Sequence, residues 1–302
     1  MIRLTVAVFI FLSGCAHFNK NLSKSEGHTV PLYFPITKED GQFYAIPCTV
    51  HLKSGHCILD TGMDKTQVAT TPDTSQFKTL SQAKSVSMYG ERIESVVEIP
   101  TLTLAHDFTK KNIPALRSNS FHNLPEYLAV IGSDIVLGIN FIFDFGKDDN
   151  NPAKIIFEPN ESELAAFQFK EFDRIIKDER FITINLIIED LNVKAIWDTH
   201  APVSAFSTNF IQAHLNFFKI IESRQDKDAH AGKGLQNFYQ LLKPVCITSK
   251  YCPYTTNYVV EHRLKDSGKD FESYDVILGN DFILSFNWYF DFKNKKYFVS
   301  PR

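Results

Sequence analysis

The chain has 302 residues, of which 44% are hydrophobic and 13% aromatic, enough apolar material for one large or two modest folded cores. Its 32 basic and 35 acidic residues are mixed throughout the sequence and leave a formal charge of -3. A chain without a strong field of one sign does not attract nucleic acid or anionic lipid by bulk charge, so neither is an expected partner.

The N-terminal segment has the pattern of an export signal. Arg3 precedes an apolar run over residues 4–12. Those nine residues are too few to cross a bilayer as a mature helix, which needs roughly 20 apolar residues. We therefore expect the segment to be cleaved and the mature protein to lie outside the cytoplasm.

Residues 12–15, Leu-Ser-Gly-Cys, resemble the bacterial lipobox, in which small residues precede a lipidated cysteine. The resemblance implies a signal peptide over residues 1–15, a lipid anchor at Cys15 and a polar tether over residues 16–28. Ala16 implies sorting to the outer membrane of a Gram-negative host, on its periplasmic or surface side. An ordinary secretory signal that ends near a cysteine is the alternative.

Four further cysteines would then lie in a compartment that permits disulfides. Cys246 and Cys252 flank Ser249 symmetrically, so a three-residue turn would place them opposite each other on a hairpin. This pair is the candidate disulfide.

Cys48 and Cys57 fit a disulfide less well. A two-residue turn at residues 54–55 would put Cys57 opposite Leu52, so this pair is left open between a disulfide and two buried thiols. A zinc site that includes nearby histidines is excluded, because strand alternation sends Cys48 and His51 to opposite faces.

An internal repeat is the most informative feature of the sequence. Residues 41–62 align without a gap on residues 179–200, at a spacing of 138 residues. Each copy has an alternating strand, a polar turn and a second strand that runs into Asp-Thr, at Asp60 and at Asp198. Each half is therefore predicted to present an aspartate at the end of a hairpin.

A second repeat is expected further along each half. Residues 136–142 match residues 277–283 at a spacing of 141 residues, each with two apolar residues before a glycine, and paired strands follow both. A short helix is predicted after each glycine motif. The polar residues 159–173 have no later counterpart and are interpreted as a connector between a lobe at 29–158 and a lobe at 174–302.

The strand that runs into Asp60-Thr61-Gly62, followed later by the apolar-apolar-Gly motif, resembles the retropepsin and pepsin clan of aspartic peptidases. Asp198-Thr199 repeats the pattern, and the resemblance covers about residues 30–300. It implies a mostly β fold with two pseudo-symmetric retropepsin-like lobes of six or seven strands each and a central cleft. One chain that supplies both aspartates is expected to act as a monomer.

The resemblance also implies the chemistry of the cleft. Asp60 and Asp198 would share a proton, so that one activates water while the other protonates the carbonyl oxygen of an extended polypeptide. Thr61 and Thr199 would cross-link the two loops through hydrogen bonds. Neither a metal nor an organic cofactor is expected.

The clan holds its substrate beneath a mobile hairpin, so each lobe is expected to carry a flap. Tyr89 and Gly90 are the candidate flap residues of the first lobe, and Gly232 and Gly234 are those of the second. For Tyr89-Gly90, an ordinary hairpin turn is the alternative.

His200 departs from the pattern, because the clan has glycine at that position. One interpretation is that the side chain points to solvent or into the lobe interface while the enzyme stays active. A second is that the imidazole alters the titration of the two aspartates, the catalytic dyad. A third is that the second lobe is degenerate and binds peptides without cutting them. The prediction is an aspartic-type endopeptidase. A non-catalytic peptide-binding lipoprotein and a purely structural β scaffold are the alternatives.

Overall fold

The computed structural model of the chain is built mainly from strands. It describes residues 9–11, 28–31, 36–37, 41–42, 44–87, 90–105, 108–119, 127–146, 151–172, 180–225, 235–248, 252, 259–262 and 274–302. The strands of the first half are β1 (Phe9–Phe11), β2 (His28–Pro31), β3 (Ile36–Thr37), β4 (Gly41–Gln42), β5 (Tyr44–Val50), β6 (Lys53–Leu59), β7 (Gln67–Ala69), β8 (Thr79–Ser87), β9 (Gly90–Leu104), β10 (Phe108–Ser118), β11 (Tyr127–Ile131), β12 (Phe141–Asp144) and β13 (Lys154–Phe157).

The second half repeats this strand-rich pattern. Its strands are β14 (Lys170–Phe172), β15 (Thr183–Ile188), β16 (Leu191–Trp197), β17 (Ala205–Ser207), β18 (Phe218–Gln225), β19 (Leu235–Leu241), β20 (Val245–Cys246), β21 (Val259–His262), β22 (Val276–Leu278), β23 (Phe286–Asp291) and β24 (Lys296–Pro301). The helices are short: α1 (Pro72–Ser75), α2 (Ser133–Val136), α3 (Glu161–Ala165), α4 (Thr208–Ala213) and α5 (Asn280–Ile283), with a 3-10 turn over Leu215–Phe217.

Each half forms its own sheet, and the predicted two-lobed, mostly β fold is confirmed. The first sheet has the order β1-β8-β9-β10-β7-β11-β6-β5 and closes because β9 also pairs with β5. The second has the order β18-β19-β21-β17-β22-β16-β15-β20. Seven strands correspond between the sheets, and β1 and β20 add an eighth to each, one more than the six or seven predicted.

A third sheet joins the two lobes. It has six strands in the order β14-β24-β23-β12-β13-β2, so β12 of the first half pairs with β23 of the second. Ile142 lies opposite Tyr289 at the centre of this pairing, with Phe141 opposite Phe290 and Phe143 opposite Trp288 on either side. The buried rings of this sheet belong to the main hydrophobic core, which includes residues of both lobes. Because β14 belongs to this sheet, the predicted connector is part of the fold.

The predicted match between residues 136–142 and 277–283 is wrong. Strand β11 runs parallel to β6 and β22 runs parallel to β16, which makes β11 and β22 the equivalent strands. The glycines that follow these strands, Gly132 and Gly279, are therefore the true pair, 147 residues apart. A short helix begins directly after each of them, α2 and α5, as predicted for the motif.

Gly138, the glycine of the mistaken match, lies beyond α2 in an open turn. Its φ of 96° is a backbone conformation that side-chain-bearing residues rarely adopt, so the turn accounts for this glycine.

Cys48 and Cys57 form a disulfide, so the alternative of two buried thiols is wrong. The turn of the β5–β6 hairpin lies at residues 51–52 rather than 54–55. Cys48 is then opposite Gly55, and Cys57 lies two residues further along on the same face of the hairpin. Cys246 and Cys252 are also bonded to each other.

Gly55 has a packing role rather than a turn role. The Leu128 side chain lies over it, so an added Cβ would sit 3.1 Å from Leu128 Cδ1. The turn itself uses His51, which has a φ of 56°, and the equivalent turn of the second lobe uses Glu189 with a φ of 54°. The two hairpins therefore share their turn conformation as well as their sequence pattern.

Hairpins are present where the two flaps are predicted. In the first lobe β8 pairs with β9, and Gly90 lies opposite Ser87 at its end. In the second lobe β18 pairs with β19. The candidate flap residues Tyr89, Gly232 and Gly234 lie outside the described residues.

The predicted lipid anchor Cys15 also lies outside the described residues, as does most of the predicted tether. Residues 9–11 of the predicted signal peptide form β1, which pairs with the edge of β8. In the described part of the chain, no helix has the length and apolar character needed to cross a membrane.

Candidate active site

Parallel strand pairs bring the two predicted aspartates to the boundary between the lobes. Asp60 follows the end of β6 and donates its backbone N–H to Ile131 O at 3.0 Å. Asp198 follows β16 and makes the same bond to Leu278 O, also at 3.0 Å. Both aspartates are nearly inaccessible, with exposed fractions of 2% and 3%. The two halves therefore place their aspartates in the same way.

The two threonines next to the aspartates cross-link the lobes. The Thr61 hydroxyl accepts the Thr199 N–H at 3.1 Å and donates to Trp197 O at 2.7 Å. The Thr199 hydroxyl accepts the Thr61 N–H at 3.1 Å and donates to Leu59 O at 2.8 Å. Each hydroxyl thus satisfies one donor and one acceptor of the opposite lobe, as the resemblance implies.

A second symmetric arrangement ties each loop to the short helix behind it. Thr66 donates its N–H and hydroxyl to Asp134 Oδ1 at 3.0 and 2.8 Å, and Ser204 does the same to Asp281 at 2.8 and 2.7 Å. Each of these hydroxyls also accepts the N–H of the glycine before the helix at 3.1 Å. The sequence reasoning missed Asp134 and Asp281, although the Gly-x-Asp repeat at 147 residues would have revealed them.

The Oδ1 atom of each aspartate accepts hydrogen bonds from the backbone of its own loop. Asp60 Oδ1 accepts the Gly62 N–H at 3.0 Å, and Asp198 Oδ1 accepts the N–H groups of His200 and Ala201 at 2.8 and 3.3 Å. Gly62 also lies against the other aspartate, because a Cβ on it would be 2.3 Å from the Asp198 carboxyl carbon. Glycine is thus required on the first loop by contact with the second carboxylate.

His200 occupies the position on the second loop that Gly62 has on the first. Its Nδ1 lies 3.0 Å from Asp60 Oδ2, and the two side chains are 13% and 3% exposed. The interpretation in which the imidazole points to solvent is therefore wrong, because it crosses the lobe interface to the opposite carboxylate. The structure thus groups a histidine with the two aspartates.

Burial and mutual proximity shift the protonation of these groups. Burial, together with the charge of Asp60, raises the pKa of Asp198 to about 7, and the nearby His200 imidazole offsets part of that rise. Burial lowers the pKa of His200, but the Asp60 and Asp198 carboxylates outweigh it and leave the imidazole pKa above its usual value. In the described part of the chain, no cluster of three or more acidic, histidine or cysteine side chains is arranged to hold a metal ion.

Asp64 is another buried carboxyl on the first loop, and the sequence reasoning missed it. Burial raises its pKa to about 7, against the opposing effect of Lys65 and Arg180. Its Oδ1 is buried and has no hydrogen-bond partner among the described residues. Its position in the second lobe is held by Pro202, so this carboxyl breaks the symmetry between the loops.

Comparison with known proteins bears on the fold. No family model and no curated protein matches the chain. Among solved structures, the chain is similar to conglutin gamma, a basic 7S globulin from lupine seeds, with a TM-score of 0.50 and 11% sequence identity. The match covers 92% of this chain and 96% of that one, so it extends over both lobes. At such low identity the similarity concerns the fold alone.

Proposed function

We propose that the chain is an aspartic-type endopeptidase that cleaves extended polypeptide outside the cytoplasm. The observation that carries the proposal is the pairing of two buried carboxylates, Asp60 and Asp198, on loops that Thr61 and Thr199 lock together. Two like carboxyl groups in one buried site cannot both ionise at low cost, so they hold a proton between them at working pH.

A shared proton supports hydrolysis without a metal or an organic cofactor. One carboxylate removes a proton from water as the water oxygen attacks the peptide carbonyl carbon, while the protonated carboxyl donates to the carbonyl oxygen. In this proposal the cleft between the lobes accepts the polypeptide, and the β8–β9 hairpin acts as the flap of the first lobe. Both aspartates come from one chain, so the proposed enzyme acts as a monomer.

The direct test is cleavage of a reduced, unfolded protein by the purified exported part of the chain between about pH 3 and 8. Asp60→Asn and Asp198→Asn should each reduce kcat by about a thousandfold or more, because one carboxyl group cannot both activate water and protonate the carbonyl oxygen. Asp73→Asn is the matched control, since it makes the same change at an exposed aspartate. Activity that survives Asp198→Asn would refute the shared-dyad mechanism.

The structure offers one specific observation in favour of a non-catalytic peptide-binding protein on the same fold. His200 Nδ1 contacts Asp60 Oδ2, one of the two oxygens with which Asp60 could take a proton from water. In that case the wild type binds a labelled unfolded polypeptide but cuts it at no pH, and His200→Gly gains cleavage. The peptidase proposal is supported if the wild type cleaves the polypeptide and the cleavage activity of His200→Gly is equal to or lower than that of the wild type.

The proposed location rests on Cys15, which would carry the lipid anchor to the membrane. Cys15→Ser should move the protein from the membrane fraction to the soluble extracytoplasmic fraction. Mass spectrometry of the native protein should find a lipidated N-terminal cysteine. An intact N-terminus without lipid contradicts the proposed anchor.

A further inference from the structure

We infer that His200 is a positioning residue that makes the two aspartates unequal, with Asp60 as the base and Asp198 as the acid. The inference rests on the proposed peptidase function and deepens it. It begins from a break in the symmetry of the site, because the threonine cross-link and the backbone bonds that place the aspartates are repeated in both lobes.

The break lies at the third position of the two Asp-Thr loops. On the first loop a side chain is impossible at Gly62, because its Cβ would be 2.3 Å from the Asp198 carboxyl. On the second loop His200 carries a side chain, and its Nδ1 meets Asp60 Oδ2 at 3.0 Å. Asp60 therefore has a buried imidazole partner, and Gly62 offers Asp198 no equivalent one.

The hydrogen bonds indicate where the shared proton lies. Asp60 accepts the Gly62 N–H at Oδ1, and His200 Nδ1 lies 3.0 Å from its Oδ2, where a protonated imidazole donates to Asp60. Asp198 accepts both of its described hydrogen bonds on Oδ1. Its Oδ2 lies towards Gly62, close to where a Cβ would be, so the proton is placed on Oδ2 facing the first loop.

The charges agree with this placement. Asp60 and Asp198 both raise the imidazole pKa of His200 against the effect of burial. The charges of Asp60 and His200 act on Asp198, and burial and Asp60 keep its carboxyl protonated up to about pH 7. Both groups therefore favour their protonated forms, the imidazolium at His200 and the neutral carboxyl at Asp198.

This distribution assigns each proton transfer. Asp60 takes a proton from water while the water oxygen bonds to the carbonyl carbon, and Asp198 Oδ2 gives its proton to the carbonyl oxygen. When the tetrahedral intermediate collapses, Asp60 passes its proton to the leaving nitrogen as the C–N bond breaks, and Asp198 recovers a proton from a hydroxyl. His200 keeps its proton throughout and holds Asp60 ready as the base.

Two variants separate the charge of His200 from its shape. His200→Asn keeps a hydrogen-bond donor beside Asp60 without a titratable charge, and His200→Gly removes the side chain. In the wild type, kcat should decline as the pH rises through about 7, where Asp198 loses its proton. In both variants this decline should move to higher pH, because the nearby imidazolium that favours the ionised form of Asp198 is gone.

A second measurement does not depend on cleavage. Carbon-13 NMR of labelled aspartate carboxyls, assigned with Asp198→Asn, should find Asp198 still protonated at pH 6 in the free wild type. Its titration should move to higher pH in His200→Gly, because the imidazolium that favours its ionised form is gone. His214→Asn is the control, since that histidine stacks on Phe217 and Phe210 away from the dyad.

The outcomes separate this inference from the proposed function. If the wild type cleaves and the pH profile of His200→Asn equals that of the wild type, the charge of His200 has no role and the inference is overturned. If the wild type does not cleave but the Asp198 titration moves as expected, the proton placement stands and the peptidase proposal fails. An Asp198 carboxyl already ionised at pH 6 overturns the inference whether or not the protein cleaves.

Discussion

The threonine cross-link offers a test of the two-lobed site that needs no substrate. Thr61→Val removes one hydroxyl and keeps the branched shape of the side chain. Thr61 is fully buried at the lobe boundary, so water cannot replace the lost partner. The change leaves Trp197 O without a donor and the Thr199 N–H without an acceptor, where the hydroxyl now makes bonds of 2.7 and 3.1 Å.

The magnitude follows from these two orphaned groups. A buried polar group that loses its partner costs about 1–3 kcal/mol, so the two groups together should cost about 2–6 kcal/mol of unfolding free energy. Domains are typically stable by about 5–15 kcal/mol, and the loss should therefore be large in a urea titration. Thr61→Ser keeps the hydroxyl and should recover most of it.

A double-mutant cycle shows whether the two threonines act as one lock. Thr199→Val should cost about as much as Thr61→Val, because its hydroxyl makes the equivalent bonds to Leu59 O and the Thr61 N–H. The double variant should lose about 0.5–3 kcal/mol less unfolding free energy than the sum of the two single variants. The reason is that each single change already breaks part of the same cross-link.

The matched control is Thr103→Val, whose hydroxyl bonds Thr109 at 2.9 Å in an exposed position. It should change stability by about 0.5 kcal/mol or less. The reasoning is refuted if Thr61→Val costs no more than this control, or if Thr61→Ser is as unstable as Thr61→Val. Strict additivity of the two threonine changes would show that they do not form a joint cross-link.

Three further changes test other parts of the site. Gly62→Ala should cost about 1–3 kcal/mol in the same urea titration, because its Cβ would overlap the Asp198 carboxyl carbon at 2.3 Å, and unchanged stability would contradict that contact. The unfolding free energy of the wild type should fall as pH rises from 3.8 to about 7, because Asp198 keeps its proton in the folded protein and has lost it in the unfolded chain. Asp198→Asn should make the unfolding free energy depend less on pH over this range. Equal pH dependence in the two proteins would be evidence against the raised pKa. Cys48→Ser should cost about 2–3 kcal/mol by chemical unfolding, because it removes a disulfide that spans nine residues, and Cys57→Ser should cost about as much because it removes the same bond; clearly unequal losses would contradict the pairing.

The duplication of the chain is readable from the sequence alone. Asp60-Thr61 and Asp198-Thr199 each end an alternating strand, and both features are local, so the repeat at 138 residues predicted two equivalent loops. The structure places the two aspartates in matching surroundings. The mostly β, two-lobed fold was implied by the family resemblance that these motifs carry.

Local patterns were insufficient where two segments fit one motif equally well. The first half has an apolar pair before glycine at both Gly132 and Gly138, six residues apart, and sequence reasoning chose the second. Only the pairing of β11 with β6 identifies Gly132 as the partner of Gly279. The turn of the first hairpin was misplaced for a similar reason, because Gly55 is required by the Leu128 side chain rather than by a turn.

The contacts that define the candidate site were decided by the tertiary structure. From the sequence, His200 departed from the glycine of the family pattern and had three open interpretations. The neighbouring residues do not show whether its imidazole contacts a carboxylate or the solvent. Its contact with Asp60 joins residues 140 positions apart, and it exists because the β12–β23 pairing and the two threonines bring the loops face to face. The direction of a side chain at a lobe interface depends on how the two lobes are rotated against each other. The local backbone preferences of the two segments do not encode that rotation.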